Sequence, residues 1–117
     1  MWIVLKYKKN EQNFLFKELK EKIGNDIKIY IPKIQLKYFS KKKITYQSKP
    51  LLGDYLFCYH AKFKDPNIIN MINFLKGLKY ILKDFIQSQK EINLFVNRCS
   101  CFEDKEGFLT QDFFNFE

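Results

Sequence analysis

The sequence predicts an α+β domain in which helices pack on one antiparallel sheet, and three observations predict it. Tyr55-Leu56-Phe57-Cys58-Tyr59 is apolar on both of its alternating faces, as a central strand covered from two sides must be. Trp2 to Tyr7 is a second extended apolar run, starting almost at the first residue. Between and after these lie two stretches with helical spacing, Phe14-Leu15-Leu19-Ile23 and Ile68-Ile69-Ile72-Leu75. At 117 residues, 46% of them apolar and 18% aromatic, the chain is long enough for one domain with a sizeable core.

Taken in order, Trp2 to Tyr7 forms the first strand and Lys8-Lys9-Asn10 the turn after it. A helix is expected from about Glu11 to Ile23, with Asn10 as N-cap and Glu11 in the first turn, where the dipole favours an acid. Its stripe is Phe14, Leu15, Leu19 and Ile23, with Phe16 on the flank, and Gly24 closes it. Asp26 to Phe39 reads as extended chain, bent at Pro32. Ser40-Lys41-Lys42 is a hairpin tip, and Ile44 to Ser48 return as a partly solvated arm. The central strand opens at Pro50, which suits a strand edge or entrance, and bends at Gly53-Asp54. Asp65-Pro66 starts a second helix, with Asp at the N-cap and Pro at N1, and Gly77 ends it.

Tyr80 to Phe85 is expected as a short strand. Ser88-Gln89-Lys90-Glu91 fits a capping box, so a short C-terminal helix should follow with Ile92, Phe95 and Val96 inward. Residues 103–117 carry five acids and one lysine among scattered Phe residues, and residues 99–117 read as a linker or tail after a domain over 1–98. The order strand, helix, strand, strand, helix, strand, helix makes a ferredoxin-like βαββαβ sheet with a protruding basic hairpin the natural arrangement.

The formal net charge is +8, and it is uneven. Residues 1–49 hold 13 lysines against 4 acids, whereas the remainder is close to neutral. Such a field favours a polyanion or an acidic protein surface. Twenty lysines against one arginine, with much Asn, Ile and Phe, equally fits an AT-rich genome. Cys58, Cys99 and Cys101 make an odd count, and Cys99-Ser100-Cys101 lacks the spacing of a zinc site. Lys6, Lys8 and Lys9 interrupt the apolar start, so no secretory or membrane-spanning segment is expected, and a reducing cytoplasmic setting fits.

No catalytic constellation is legible. There is one histidine, His60, no pair of carboxylates with a supporting base, and no glycine-rich phosphate loop. A binding module is therefore expected, not an enzyme, with no cofactor and no metal. Two surfaces can be argued. One is aromatic and apolar, built on Trp2, Leu52 and Tyr55, residue types that give large contact area at low entropy cost, although the same rings serve equally well as core. The other is basic: Lys8, Lys9, Lys37 and Lys41 to Lys43, able to make salt-dependent phosphate contacts or to form a solvated loop. The stretch Gly53 to Tyr59 also loosely echoes the aromatic strand of an RNA recognition motif, where bases stack on exposed rings, but Leu52 stands where that motif has Lys or Arg.

Several of these stretches together resemble the N-terminal domain of the NusG family of transcription elongation factors. The family's opening Trp-Tyr-Val-Leu is matched by Trp2-Ile3-Val4-Leu5, and its turn and early Glu by Lys9, Asn10 and Glu11. Pro32 matches a proline ending the first extended segment. The signature Pro-Leu-Phe-Pro-Gly-Tyr-Leu-Phe is met by Pro50-Leu51-Leu52-Gly53-Asp54-Tyr55-Leu56-Phe57. Gly77-Leu78 and Lys90-Glu91-Ile92 resemble later family segments, so the similarity runs from Trp2 to about Val96. Leu52-Gly53-Asp54 departs from Phe-Pro-Gly by losing a ring and a proline.

The resemblance implies a mechanical role in elongation, antitermination or termination. Trp2, Leu52, Gly53, Asp54 and Tyr55 would line a hollow that grips the clamp helices of the largest RNA polymerase subunit and reach towards the opposite lobe. The bound monomer would favour the closed, elongating state. The lysines would touch upstream or non-template DNA weakly. Family members usually carry a KOW barrel after a linker. The acidic end, Asp112 to Glu117, resembles that linker, so the chain reads either as a fragment or as a paralogue without the barrel.

Overall fold

The computed structural model describes residues 1–115. Phe116 and Glu117 of the expected tail lie outside the described residues. Among the described residues six strands and three α-helices follow the chain: β1 (Trp2–Tyr7), α1 (Gln12–Lys22), β2 (Lys28–Tyr30), β3 (Lys33–Ser40), β4 (Lys43–Pro50), β5 (Tyr55–Tyr59), α2 (Pro66–Ile72), β6 (Leu78–Ile81) and α3 (Gln89–Cys101). Four strands form one sheet in the order β2-β5-β1-β6, with every neighbouring pair antiparallel. Strands β3 and β4 form a separate two-stranded antiparallel ribbon, from Lys33 opposite Pro50 to Ser40 opposite Lys43, and at its base Lys33 also bridges Phe108.

The sheet is covered on both faces because β1 and β5 are apolar on both. Ile3, Leu5 and Tyr7 of β1, with Leu56 and Cys58 of β5, pack against Leu15 and Leu19 of α1, Ile23 at its C-cap and Ile72 of α2. On the opposite face Val4 and Phe57 meet Ile92 and Val96 of α3. The expectation that the Tyr55 strand is central holds, since β5 lies between β2 and β1.

Several boundaries differ from expectation, each for a local reason. A 3₁₀ turn at Lys9–Glu11 precedes α1, so Glu11, not Asn10, is its N-cap. Phe14 is exposed and Phe16 packs against the core, because at about 3.6 residues per turn Phe16 lies nearer than Phe14 to the stripe of Leu15, Leu19 and Ile23. Asp65 caps α2 as expected, its Oδ1 accepting from the Asn67 N–H at 2.9 Å, with Pro66 in the first turn. Strand β6 begins at Leu78, before the expected Tyr80, because Leu78 and Tyr80 pair with Tyr7 and Lys6 of β1. Pro50 ends β4 and does not open the central strand, and Leu51 to Asp54 form the turn between.

Residues 99–115, expected as linker or tail, are packed. Helix α3 runs on to Cys101, and the chain then folds back. Cys99, Leu109 and Phe113 are buried together, with Tyr30, Ile34, Leu51, Phe95 and Phe102 against them. Backbone bonds hold the return: the Leu109 N–H donates to the Lys33 carbonyl and the Thr110 N–H to the Phe102 carbonyl, each at 2.8 Å. Arg98, the chain's single arginine, lies 4.9 Å from the Phe102 ring centroid and 5.2 Å from that of Phe113, and its guanidinium donates to the Phe113 carbonyl.

Candidate binding surfaces

The position of α3 decides what the second sheet face can offer. Ser88 makes no side-chain cap, so the expected capping box does not form. Gln89 anchors the helix instead. Its amide oxygen accepts from the Trp2 N–H at 2.7 Å, and its amide nitrogen donates to the Trp2 and Phe85 carbonyls at 2.6 and 2.8 Å. A carboxamide is suited to this because it carries a donor and an acceptor side by side. From that anchor the helix crosses the middle of the face, burying Val4 and Phe57 and leaving Trp2 and Tyr55 at the two ends only partly covered.

One end is built on Tyr55. Lys6 stands beside Tyr55 on one neighbouring strand register and beside Tyr80 on the other. The tyrosine hydroxyls are 2.8 Å apart, and the Lys6 ammonium lies 5.2 Å from the Tyr55 centroid and 5.9 Å from that of Tyr80. The hydrogen bond with Tyr55, then desolvation, raises the Tyr80 pKa. The Leu52-Gly53-Asp54 turn leads directly into this end. Leu52 is 38% exposed, Tyr55 is half-buried, and a side chain built on Gly53 would meet no atom within 4 Å. The Asp54 carbonyl accepts from the Tyr7 N–H at 2.9 Å, which pins the turn to the end of β1.

The other end holds Trp2. Its ring meets Tyr59 edge-on at 5.1 Å, and Lys28 lies 5.8 Å from the Tyr59 centroid. A shallow concavity of about 350 Å³ opens there between these rings, Gln89, Lys90 and Asn93. Trp2 is opposite Tyr59, whereas Tyr55 is opposite Lys6, four residues further along β1 and about 13 Å away. The structure therefore brings Leu52, Gly53, Asp54 and Tyr55 together and puts Trp2 at the far end of the same face, beyond α3. Two neighbours of Tyr55, Lys6 and Tyr80, escaped the sequence reading. Their signal was Lys6 itself, a charge in an otherwise apolar alternating strand.

The lysines fall into two groups. Lys8 and Lys9 are exposed just after β1, where the Lys8 N–H donates to the Gly77 carbonyl at 2.8 Å. Lys37 and Lys41 to Lys43 lie on the ribbon, whose tip is seven residues, about 23 Å, from its base. Every residue from Lys37 to Pro50 is exposed.

Several polar and thiol groups are engaged within the fold. His60 Nδ1 accepts from the Lys62 N–H at 3.0 Å and its Nε2 lies 2.8 Å from Asp26 Oδ1. Burial pushes the Cys58 thiol well above its ordinary range and, with smaller contributions, that of Cys99 up to about 11. Tyr30 donates to Glu103, and burial with that bond raises its hydroxyl further. A groove of about 720 Å³ between α1, β2 and the base of the ribbon is lined by Phe16, Ile29, Ile31, Lys20 and Lys33. Among the described residues no group of three or more His, Cys, Asp or Glu could hold a metal ion. Among them, too, no helix is long and apolar enough to cross a membrane. Comparison of the sequence with models of known families and with characterised proteins returns no match.

Proposed function

We propose that this domain docks onto the clamp helices of RNA polymerase through the Leu52-to-Tyr55 end of its sheet and favours the closed, elongating state, as a NusG-type N-terminal domain does. The observation that carries the reading is the accessible turn Leu52-Gly53-Asp54 running into Tyr55 at the open end of the central strand. Leu52 offers apolar area, and the Tyr55 ring supplies a flat surface with a hydroxyl that can re-pair on contact. The turn is fixed to β1 through the Asp54 carbonyl, so little order would be lost on binding. We read the sheet order β2-β5-β1-β6 with α1 and α2 on one face as a ferredoxin-like core, and the ribbon as its protruding basic hairpin. Lys8, Lys9, Lys37 and Lys41 to Lys43 would face upstream or non-template DNA.

A single-stranded RNA module of recognition-motif type is the second reading, and one observation weighs against it. Base stacking needs the middle of the sheet face open. Here Val4 and Phe57 are only 6% and 5% exposed beneath α3. The test is titration of the whole protein with isolated clamp helices. Leu52→Asp and Tyr55→Ala are each expected to weaken binding about tenfold or more while circular dichroism still reports the wild-type fold. Unchanged affinity in both variants would sink the docking reading, and tight binding of a free single-stranded oligonucleotide without polymerase would favour the second.

A further inference from the structure

The ribbon carries more than charge. Residues 33–50 hold six lysines and no acidic residue. On one of its faces Lys37 stands opposite Tyr46 and Phe39 opposite Ile44. These apolar groups are in water: Phe39 is 76% exposed, Tyr46 61% and Ile44 50%. The other face carries Tyr38 opposite Thr45, with Lys43 towards the tip and Lys49 towards the base. At the tip Lys41 and Lys42 adopt φ of +48° and +64°, a turn in which Asn and Gly are favoured and lysine is not. Unfavourable backbone, exposed rings and crowded like charge are thus concentrated where the rest of the chain makes no use of them, a pattern that marks functional segments.

The charge identifies a polyanion, and the interleaved rings identify one that displays bases. We infer that the ribbon enters the major groove of duplex DNA tip first, with lysines from both faces on the phosphates of the two walls and the Phe39–Ile44 pair, next to the tip, against thymine methyl groups exposed in the groove. The dimensions select this groove. A two-stranded ribbon fits the major groove, about 12 Å wide, whereas the minor groove, about 6 Å wide, is too narrow for side chains on both faces. Beyond the half-buried Leu36 four residues of β3 remain free, about 13 Å, which exceeds the groove depth of about 8.5 Å. A single strand has no second phosphate wall for the opposite face. The inference rests on the reading of the ribbon as DNA-facing and is independent of polymerase docking.

The experiment titrates the whole protein with a short thymine-containing duplex, without polymerase, by fluorescence anisotropy over a range of salt starting near 50 mM. Replacing Lys41, Lys42 and Lys43 by Gln should reduce the slope of log affinity against log salt by about 2.7. Phe39→Ala should lower affinity about fivefold or more. Exchanging thymine for uracil, which removes only the methyl groups, should weaken the wild type by a similar factor and leave Phe39→Ala unaffected. Wild-type indifference to that exchange, a Phe39→Ala variant binding as wild type, or a single strand binding as tightly as the duplex would each overturn the inference, as would no binding at about 50 mM salt. Circular dichroism of each variant should match the wild type, because this part of the ribbon supports no core. With Leu52 and Tyr55 intact and polymerase absent, failure here leaves the docking reading standing, and loss of docking leaves this result unaffected.

Discussion

His60 shows how much one side chain can settle. Its Nδ1 accepts the Lys62 N–H, so the ring proton is on Nε2 and is donated to Asp26. The buried imidazole thereby caps the 3₁₀ turn after β5 and ties it to the turn before β2. That bond is the main cause of the lowered Asp26 pKa, below its usual 3.8. The sign follows: the folded state prefers the carboxylate, so the stabilisation is complete above pH 3.8 and is lost as pH falls through the lower folded value. Urea midpoints of wild type and Asp26→Asn should accordingly differ at pH 5 to 6 and converge on acidification; a constant difference would remove the ion from the account. A sequence reading sees His60 only as the end of a strand, because its partner is 34 positions away. The same holds for Gln89, whose bonds to Trp2 span 87 positions, while the local pattern pointed to Ser88. Residue roles set by alternation, as for Leu56 and Cys58, were legible, and roles set by distant hydrogen bonds were not.

Elements were legible where one period persisted. Strands β1 and β5 and the β3–β4 ribbon follow from alternation, and Asp65-Pro66 marked α2. The misplacement of β6 came from reading Gly77 as a helix end. Helix α2 stops at Ile72, and Gly77 serves a different purpose. Its φ is +92°, and a Cβ there would lie 2.9 Å from the Glu11 carbonyl oxygen. This glycine lets the strand entrance pass against the start of α1, and its carbonyl also receives the Lys8 N–H. Gly77→Ala should therefore destabilise the domain by about 2–3 kcal/mol, seen as a lower thermal midpoint. A midpoint equal to wild type would mean that the contact relaxes without cost. Phe14 and Phe16 carry a similar lesson: at about 3.6 residues per turn Phe16 lies about 60° from the middle of the Leu15–Leu19–Ile23 stripe and Phe14 about 140° from it, so a full helical wheel, unlike a list of apolar spacings, turns Phe16 inward as observed.

At the scale of the molecule, the segment after α3 was the least legible part. Its aromatic residues follow no period, so they resembled a loose tail, yet Leu109 and Phe113 are buried against Cys99 and Arg98 is held between two rings. Removing the chain from Phe102 onward would expose Cys99 and uncover part of Phe95 and Ile34. The expected loss is about 3–5 kcal/mol from the side chains removed, measured as a reduced urea midpoint; an unaltered midpoint would make the segment an appendage. The packed segment also fixes the base of the ribbon, since Leu109 is bonded to Lys33 and Ile34 lies in the same cluster. Beyond that base the ribbon, a sheet of two strands, keeps its outer edges beside exposed aromatic rings, features that let separate molecules zip together into aggregates. Six ammonium groups on each copy oppose such edge-to-edge contact, so the ribbon's lysines act as gatekeepers against self-association.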